Sequence, residues 1–187
     1  MSLTVFIAGI NEQIAPLFKK WTGSQIHGMA QSMNREAGGK TETLPCLVDK
    51  KGEGIYIGID DKYPVIIYHK AGQIIGTQKT GSGYGDSIAD QVNTASISMV
   101  VFIDRKKIEM LPDEVAMMIQ ANLADGLKVK DYKSVTVRIQ NIILNTQQVF
   151  ASEYQNTPYK IKSSQNLFVI NYQIESTFNK RCFATCP

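Results

Sequence analysis

Three groups of residues in this chain could do chemistry, and each lacks a partner that the chemistry needs. The stretch Gly76-Thr77-Gln78-Lys79-Thr80-Gly81-Ser82 approaches a phosphate-binding loop. In such a loop a lysine follows the second glycine to reach the phosphates, and a hydroxyl after it binds magnesium. Ser82 stands where that lysine is required, and no helix start follows to supply amide donors. The two histidines, His27 and His69, are not accompanied by a nucleophile elbow, so they read as structural or solvated. Cys182 and Cys186 have the spacing of half a zinc site, but a second pair is missing. Cys46 stands apart, so the three cysteines form no disulfide framework. Asp60-Asp61, with Asp49, are the densest carboxylates and could hold a divalent cation, but aspartate is an ordinary turn residue between strands. Lys128, Lys130, Lys133 and Arg138 form a small basic patch without a stacking aromatic array, the pattern of a solvated face. The sequence therefore predicts no catalytic residue, no cofactor and no metal.

Two features are better suited to contact than to catalysis. Gly81, Ser82, Gly83, Tyr84 and Gly85 lie in the most glycine-rich part of the chain, residues 72–86. They read as a flexible loop that can order against a partner, with Tyr84 as an amphipathic anchor. Asp104, Arg105, Lys106 and Lys107 form a charged turn at the end of an apolar strand, which would hold them rigidly.

The elements that must position these residues follow from composition and periodicity. A chain of 187 residues, 43% hydrophobic and 20% charged, is sized for one domain and is not a disordered polymer. A formal charge of +3 gives no electrostatic case for sequence-specific nucleic-acid binding. The longest apolar run, near residues 97–103, is far short of the roughly 20 residues that span a bilayer, and the N-terminus lacks a secretory pattern. The expectation is a soluble protein of a reducing cytoplasm.

Phe6, Ile10, Ile14, Leu17 and Trp21 recur at helical spacing, so a helix is expected over residues 5–21, bent at Pro16 and ended by Gly23. Ile26, Met29, Ala30 and Met33 share a helical face, which predicts a short helix over residues 25–36, stopped by Gly38-Gly39. Strands are expected at residues 44–48, at 55–59 with Ile55, Ile57 and Ile59 half-buried, at 65–68, and briefly at Ile74-Ile75. Residues 97–103 read as a central strand. Pro112, Asp113 and Glu114 open a helix through residues 113–123, with Val115, Met118, Ile119 and Leu123 as its stripe and Gly126 beyond its end. Val135, Val137 and Ile139 alternate, and the phase shifts at Asn141, which predicts a bulge. A helical turn at residues 147–154 precedes the last strand, 168–178, where Phe168, Ile170, Tyr172 and Ile174 share one face. The order predicts a single α+β domain, mainly an antiparallel sheet with helices packed on one face.

This order of elements resembles that of the tail-terminator, or tail-completion, proteins of tailed phages and prophages. The similarity is carried by Leu44-Pro45-Cys46-Leu47-Val48, by Met99-Val100-Val101-Phe102-Ile103-Asp104-Arg105-Lys106-Lys107 with the helix after it, and by Gln148-Val149-Phe150-Ala151-Ser152-Glu153-Tyr154 before the closing strand. Residues 21–39 and the loop at 72–86 depart from the pattern. The resemblance implies a non-enzymatic virion structural protein, a homo-oligomer that forms a ring, commonly a hexamer. It implies contacts with tail-tube and head-connector proteins, no membrane, and assembly in the bacterial cytoplasm before entry into the virion. A small-molecule or nucleotide-binding enzyme domain using residues 80–87, and a binding module with a pocket on the sheet, are the competing readings.

Overall fold

The structure, a computed structural model, describes residues 3–48, 53–79, 90–127, 129 and 134–179. The chain opens with helix α1 (Leu3–Phe18), whose Phe6, Ile7, Ile10, Ile14 and Phe18 form a buried stripe. Pro16 sits in its last turn, where the helix ends two residues later rather than at Trp21. Strands β1 (Gln25–Ala37), β2 (Lys40–Val48), β3 (Gly54–Tyr56), β4 (Val65–Lys79) and β5 (Asp90–Asp104) follow. Then come α2 (Arg105–Ile108), α3 (Pro112–Leu123), β6 (Ser134–Ile143), α4 (Thr146–Glu153) and β7 (Gln165–Asn179). The strands make one seven-stranded sheet in the order β3-β2-β1-β4-β5-β7-β6. Every neighbouring pair is antiparallel except β1 and β4, which run parallel. The fold is α+β, as the order of elements predicts.

The interior strand β5 explains the architecture. Its Ile97, Met99, Val101 and Ile103 join α1 and α3 in one core. Val100 and Phe102, pointing the other way, join Leu44, Tyr68, Leu167, Val149 and Tyr154 in a second core. The longer helices therefore share one face, while α4 covers part of the other. The same alternation splits β7. Phe168, Ile170, Tyr172 and Ile174 enter the first core, and Leu167 and Val169 the second.

Residues 25–36 correct the helical expectation: they are strand β1. Ala30 pairs with Leu47 and Ala37 with Lys40, and Met33, Arg35 and Ala37 alternate with exposed Ser32, Asn34 and Glu36. The turn is the reason. Gly38 and Gly39 have φ of 58° and 74°, the consecutive positive values that a two-residue hairpin demands. The weak helical spacing loses to that ladder. Residues 55–59 are also corrected. Only Gly54–Tyr56 pair as β3, Ile55 is 64% exposed, and the next bond, from Ile57 N to Pro45 O at 2.8 Å, cannot be returned because Pro45 has no N–H. Ile74 and Ile75 form no separate strand; they continue β4.

The helix α3 follows its sequence signals closely. Pro112 occupies the first turn with Asp113 and Glu114, and the Glu114 carboxylate reaches back to accept from Leu111 N at 2.7 Å. Val115, Ala116, Ile119 and Leu123 are buried, and Met118 packs against the same core from its margin. Past the helix, Gly126 has φ 74° and a Cβ there would lie 2.8 Å from Val135 O. Glycine is thus required on two grounds where the chain turns into β6. Ile119→Ala should lower the unfolding free energy by about 2–5 kcal/mol. The exposed neighbour Gln120 changed to Ala should stay within about 0.5 kcal/mol. Urea unfolding of the pair checks the assignment, and equal losses would refute the stripe.

Candidate functional site

The charged turn at residues 104–107 is a capped corner. Asp104 is buried, its amide donates to Pro64 O at 2.9 Å, and its carboxylate accepts from Lys106 N at 3.1 Å. Arg105 N donates to Ser164 O at 2.9 Å and its guanidinium to Ser163 O at 2.7 Å. Lys107 donates to the carbonyl of Asp61. Arg105, Lys106 and Lys107 are exposed, so three cations are displayed on a rigid mount.

Beside the corner lies a shallow cleft with Tyr56, Tyr63, Tyr159, Asp61, Lys162 and Gln165 on its walls. Lys162 pairs with the Asp61 carboxylate, and Gln165 donates to it at 2.6 Å. The lysine hydrogen bond holds the Asp61 carboxyl below the usual carboxylate range, with Gln165 adding to it. Asp61 is therefore occupied by protein donors rather than presented to a cation. Among the described residues, no group of three or more His, Cys, Asp or Glu side chains is placed to hold a metal ion. Cys46 lies buried, and burial pushes its thiol up, away from the reactive thiolate. Cys182 and Cys186 lie outside the described residues, as do Lys128, Lys130 and Lys133 of the basic patch.

His69 is structural in its contacts. His69 is buried between Asn11 and Tyr172, with Nε2 2.8 Å from Asn11 Oδ1 and Nδ1 2.9 Å from the Tyr172 hydroxyl. Asn11 Nδ2 already donates to His27 O at 2.9 Å. Its Oδ1 is thus the acceptor, His69 carries its proton on Nε2, and Tyr172 donates to Nδ1. Burial lowers the His69 pKa to about 3, and burial also lowers that of His27. This cluster ties α1 to the sheet, with His69 and Tyr172 fully buried. On the other face, Tyr68 donates to Glu153 at 3.0 Å, and Lys70 bridges Glu153 at 2.9 Å and Ser32 at 3.0 Å. It ties α4 to β4 and β1. Neither cluster had a sequence signal, because its members are distant in the chain.

Gly81, Ser82, Gly83, Tyr84 and Gly85 lie outside the described residues. The strands they join are described, and they form an arm. β4 and β5 stay paired from Val65↔Ile103 to Lys79↔Asp90, and β5 stays paired with β7 from Asp104↔Gln165 to Asp90↔Asn179. Fifteen residues of β5 at about 3.4 Å each span about 50 Å. The charged corner sits at one end of that length and the strand ends leading to residues 80–89 at the other.

Along this arm β5 and β7 stay covered, with Val92, Asn93, Ala95, Ile174 and Ser176 buried, while the β4 edge is exposed. Ile74 is 55% exposed and Ile75 48%, although adjacent strand residues point to opposite faces. Ile74 lies in a row with Ala95, Ile174 and Val137, and Ile75 in a row with Thr94, Glu175 and Thr136. The second face carries a polar ladder nearer the base: Ser98 donates to Asn171 at 2.6 Å, and Asn171 to Asn141 at 2.7 Å. The register shift between Ile139 and Asn141 is the bulge expected there. A further apolar recess lies not on the sheet but beside the end of α1, with Pro16, Phe18, Trp21 and Ile26 on its walls.

Compared with known proteins, the chain matches no family model and no curated protein. No described helix is long and apolar enough to cross a membrane.

Proposed function

We propose that this chain is a non-enzymatic assembly protein of a phage or prophage tail. It acts as a tail-terminator or head–tail completion subunit that joins with copies of itself into a ring. The observation that carries the reading is the edge of the arm: Ile74 and Ile75 are exposed on opposite faces of β4. An exposed sheet edge carrying large apolar side chains is a surface that another chain can cover. The length of the arm suits the role, since a completion ring must meet a tail tube on one side and a head connector on the other. The corner of Asp104, Arg105, Lys106 and Lys107 at one end of the arm is one docking surface, and Gly81, Ser82, Gly83, Tyr84 and Gly85, which lie outside the described residues, are the other. The order of elements, similar to that of tail-terminator proteins, adds to the reading.

Native mass spectrometry at micromolar concentration tests it. A single closed oligomer, six subunits in the commonest arrangement of such rings, is the expected result. A monomer that is stabilised by a nucleotide and turns it over would overturn the proposal in favour of an enzyme using residues 80–87.

A further inference from the structure

We propose that the corner at residues 104–107 and the tyrosine-walled cleft beside it form one site for an acidic segment of a partner protein. This inference rests on the reading of that corner as a docking surface and names the chemistry the surface recognises.

Three chain segments are joined in this surface. Residues 60–64 lead into β4, residues 104–107 end β5 and form most of α2, and residues 158–165 lead into β7. Asp104 N donates to Pro64 O at 2.9 Å, and Arg105 N to Ser164 O at 2.9 Å. Lys107 donates to the Asp61 carbonyl, and Lys162 pairs with the Asp61 carboxylate. The segments carry six cations, Lys62, Arg105, Lys106, Lys107, Lys160 and Lys162, against three carboxylates, Asp60, Asp61 and Asp104. That surplus of three equals the formal net charge of the whole chain, +3, so the rest of the chain is balanced. The three carboxylates are also already occupied. Asp104 is buried and caps α2, Asp61 is held by Lys162 and Gln165, and Asp60 faces Lys62 at 3.8 Å. Arg105, Lys106, Lys107 and Lys160 are exposed, and among the described residues none of the four is in an ion pair. Their donors are not exhausted. A guanidinium has five and an ammonium three, and the side chains of Arg105 and Lys107 each give one to a carbonyl. Along the chain the cationic run ends at Glu109.

A cluster of unpaired cations on a rigid mount selects an anionic partner, and the cleft decides which kind. Tyr56, Tyr63 and Tyr159 stand half-buried on its walls, and tyrosine is among the residues that concentrate interface energy. Two of the three rings already have a face covered. A Cβ at Gly58 would lie 2.7 Å from the Tyr159 hydroxyl and 3.3 Å from its ring, so that ring lies against bare backbone. Arg35 stands 5.4 Å over the ring of Tyr56. Single-stranded nucleic acid needs a run of open ring faces for its bases, and its unbroken phosphate charge would run past Asp60 and Asp61 in the cleft. An acidic polypeptide needs neither. Its carboxylates come at intervals, and its peptide groups can bond to the tyrosine hydroxyls while its side chains reach the cations. The cations are held by the fold before a partner arrives, which lowers the ordering cost of binding.

Fluorescence anisotropy tests the site with the full chain and a labelled peptide that alternates glutamate with threonine. The peptide should bind, and binding should fall as salt rises from about 0.05 to about 0.3 M, because screening shortens the reach of exposed charges. Lys106→Glu with Lys160→Glu should weaken it about tenfold or more, as expected when two attractive charges become repulsive. Lys19→Glu with Lys40→Glu makes the same change of net charge on exposed lysines after α1 and at the start of β2, and should leave binding within about twofold. In an NMR titration of the parent, amide shifts should fall on residues 58–63, 105–107 and 159–163. Equal losses in the two double variants, equal binding of the peptide with glutamine for glutamate, or shifts away from those segments would overturn the proposal. So would a labelled oligothymidylate of equal length that binds more tightly at each salt concentration, since it would assign the site to nucleic acid. Circular dichroism of both double variants, unchanged from the parent, establishes that the losses report on binding. A ring by native mass spectrometry that fails to bind the peptide would remove this site alone, and a monomer that binds it would keep the site and remove the ring.

Discussion

Ile170→Asp should cost the folded protein about 4–5 kcal/mol, enough to unfold many domains of this size. Ile170 is fully buried in the first core, opposite Met99 on β5 and Ile142 on β6. A carboxylate there has no cation within the cluster, so it must either lose its hydration or bind a proton, and both are costly. The cavity left by the lost methyl groups adds to the penalty. Gln173→Asp, three positions along the same strand and partly exposed on the polar face, should stay within about 1 kcal/mol. Urea unfolding of the two variants reads the register directly. A slip of one residue would exchange the faces of β7, and Ile170→Asp would then melt like the parent.

His69→Ala should cost about 3 kcal/mol and flatten the acid side of the stability profile. The substitution opens a cavity and leaves the Tyr172 hydroxyl and Asn11 Oδ1 without the ring that joins them. The pH effect has a definite sign. Burial holds His69 neutral in the folded chain down to about pH 3, whereas in the unfolded chain it binds a proton near pH 6.5. Between those values the unfolded state holds more protons, so stability is full above pH 6.5 and falls as the pH drops toward 3. The slope is about 1.4 kcal/mol per pH unit, or about 2 kcal/mol between pH 6.5 and 5. His27, whose pKa burial also lowers, acts in the same direction, so the variant should keep a shallower slope. Asp61 acts in a separate, lower window: its carboxyl is held below the ordinary value of 3.8, and its contribution is lost only as the pH falls below that value. Guanidinium unfolding of parent and variant at pH 7, 6 and 5 measures the difference. Parallel profiles would show that His69 is not the buried neutral group described.

What the sequence revealed depended on whether the determining contacts were local. α3 was legible because Pro112, Glu114 and the stripe through Val115, Ile119 and Leu123 all lie within one helix. The last strand was legible because Phe168 to Ile174 alternate without interruption, and the bulge at Asn141 because it breaks such an alternation. β1 was not: its Met and Ala spacing fits a helical face, and only pairing with β2 across Gly38-Gly39 decides against it. The Gly-Gly pair between two polar runs was the available hairpin signal. Burial of β5 on both faces was half visible in its unbroken apolar run. Of the candidate site, the position of Asp104 at the end of an apolar strand was legible in the sequence. The free border of β4 was not, because it exists only where β1 departs after His69, a matter of three-dimensional path. The His69–Tyr172 bond joins residues 103 positions apart, a distance no local pattern spans.

The single parallel pair in the sheet has a consequence for how the molecule comes apart. β1, β2 and β3 form a local meander, and its ladder to the rest consists of Gln25↔Ile66, Ile26↔Ile67 and Met29↔His69. Outside that ladder it is held by the bridge between Thr43 and Gln155, by Ser32 on Lys70, by Asn11 on the carbonyl of His27, and by Ala30 and Leu44 in the second core. The remaining four strands are joined by long antiparallel ladders over the helical core, with one register shift in the β4–β5 ladder and one in the β6–β7 ladder. The free energy of opening is thus unevenly distributed, and the meander is a cooperative unit that can detach at less than the global cost. Detachment would lengthen the exposed border of β4 back to Val65 while β5 and β7 stay folded. Lys70 is one latch against this, since its ammonium reaches Ser32 of the meander and Glu153 of α4 together.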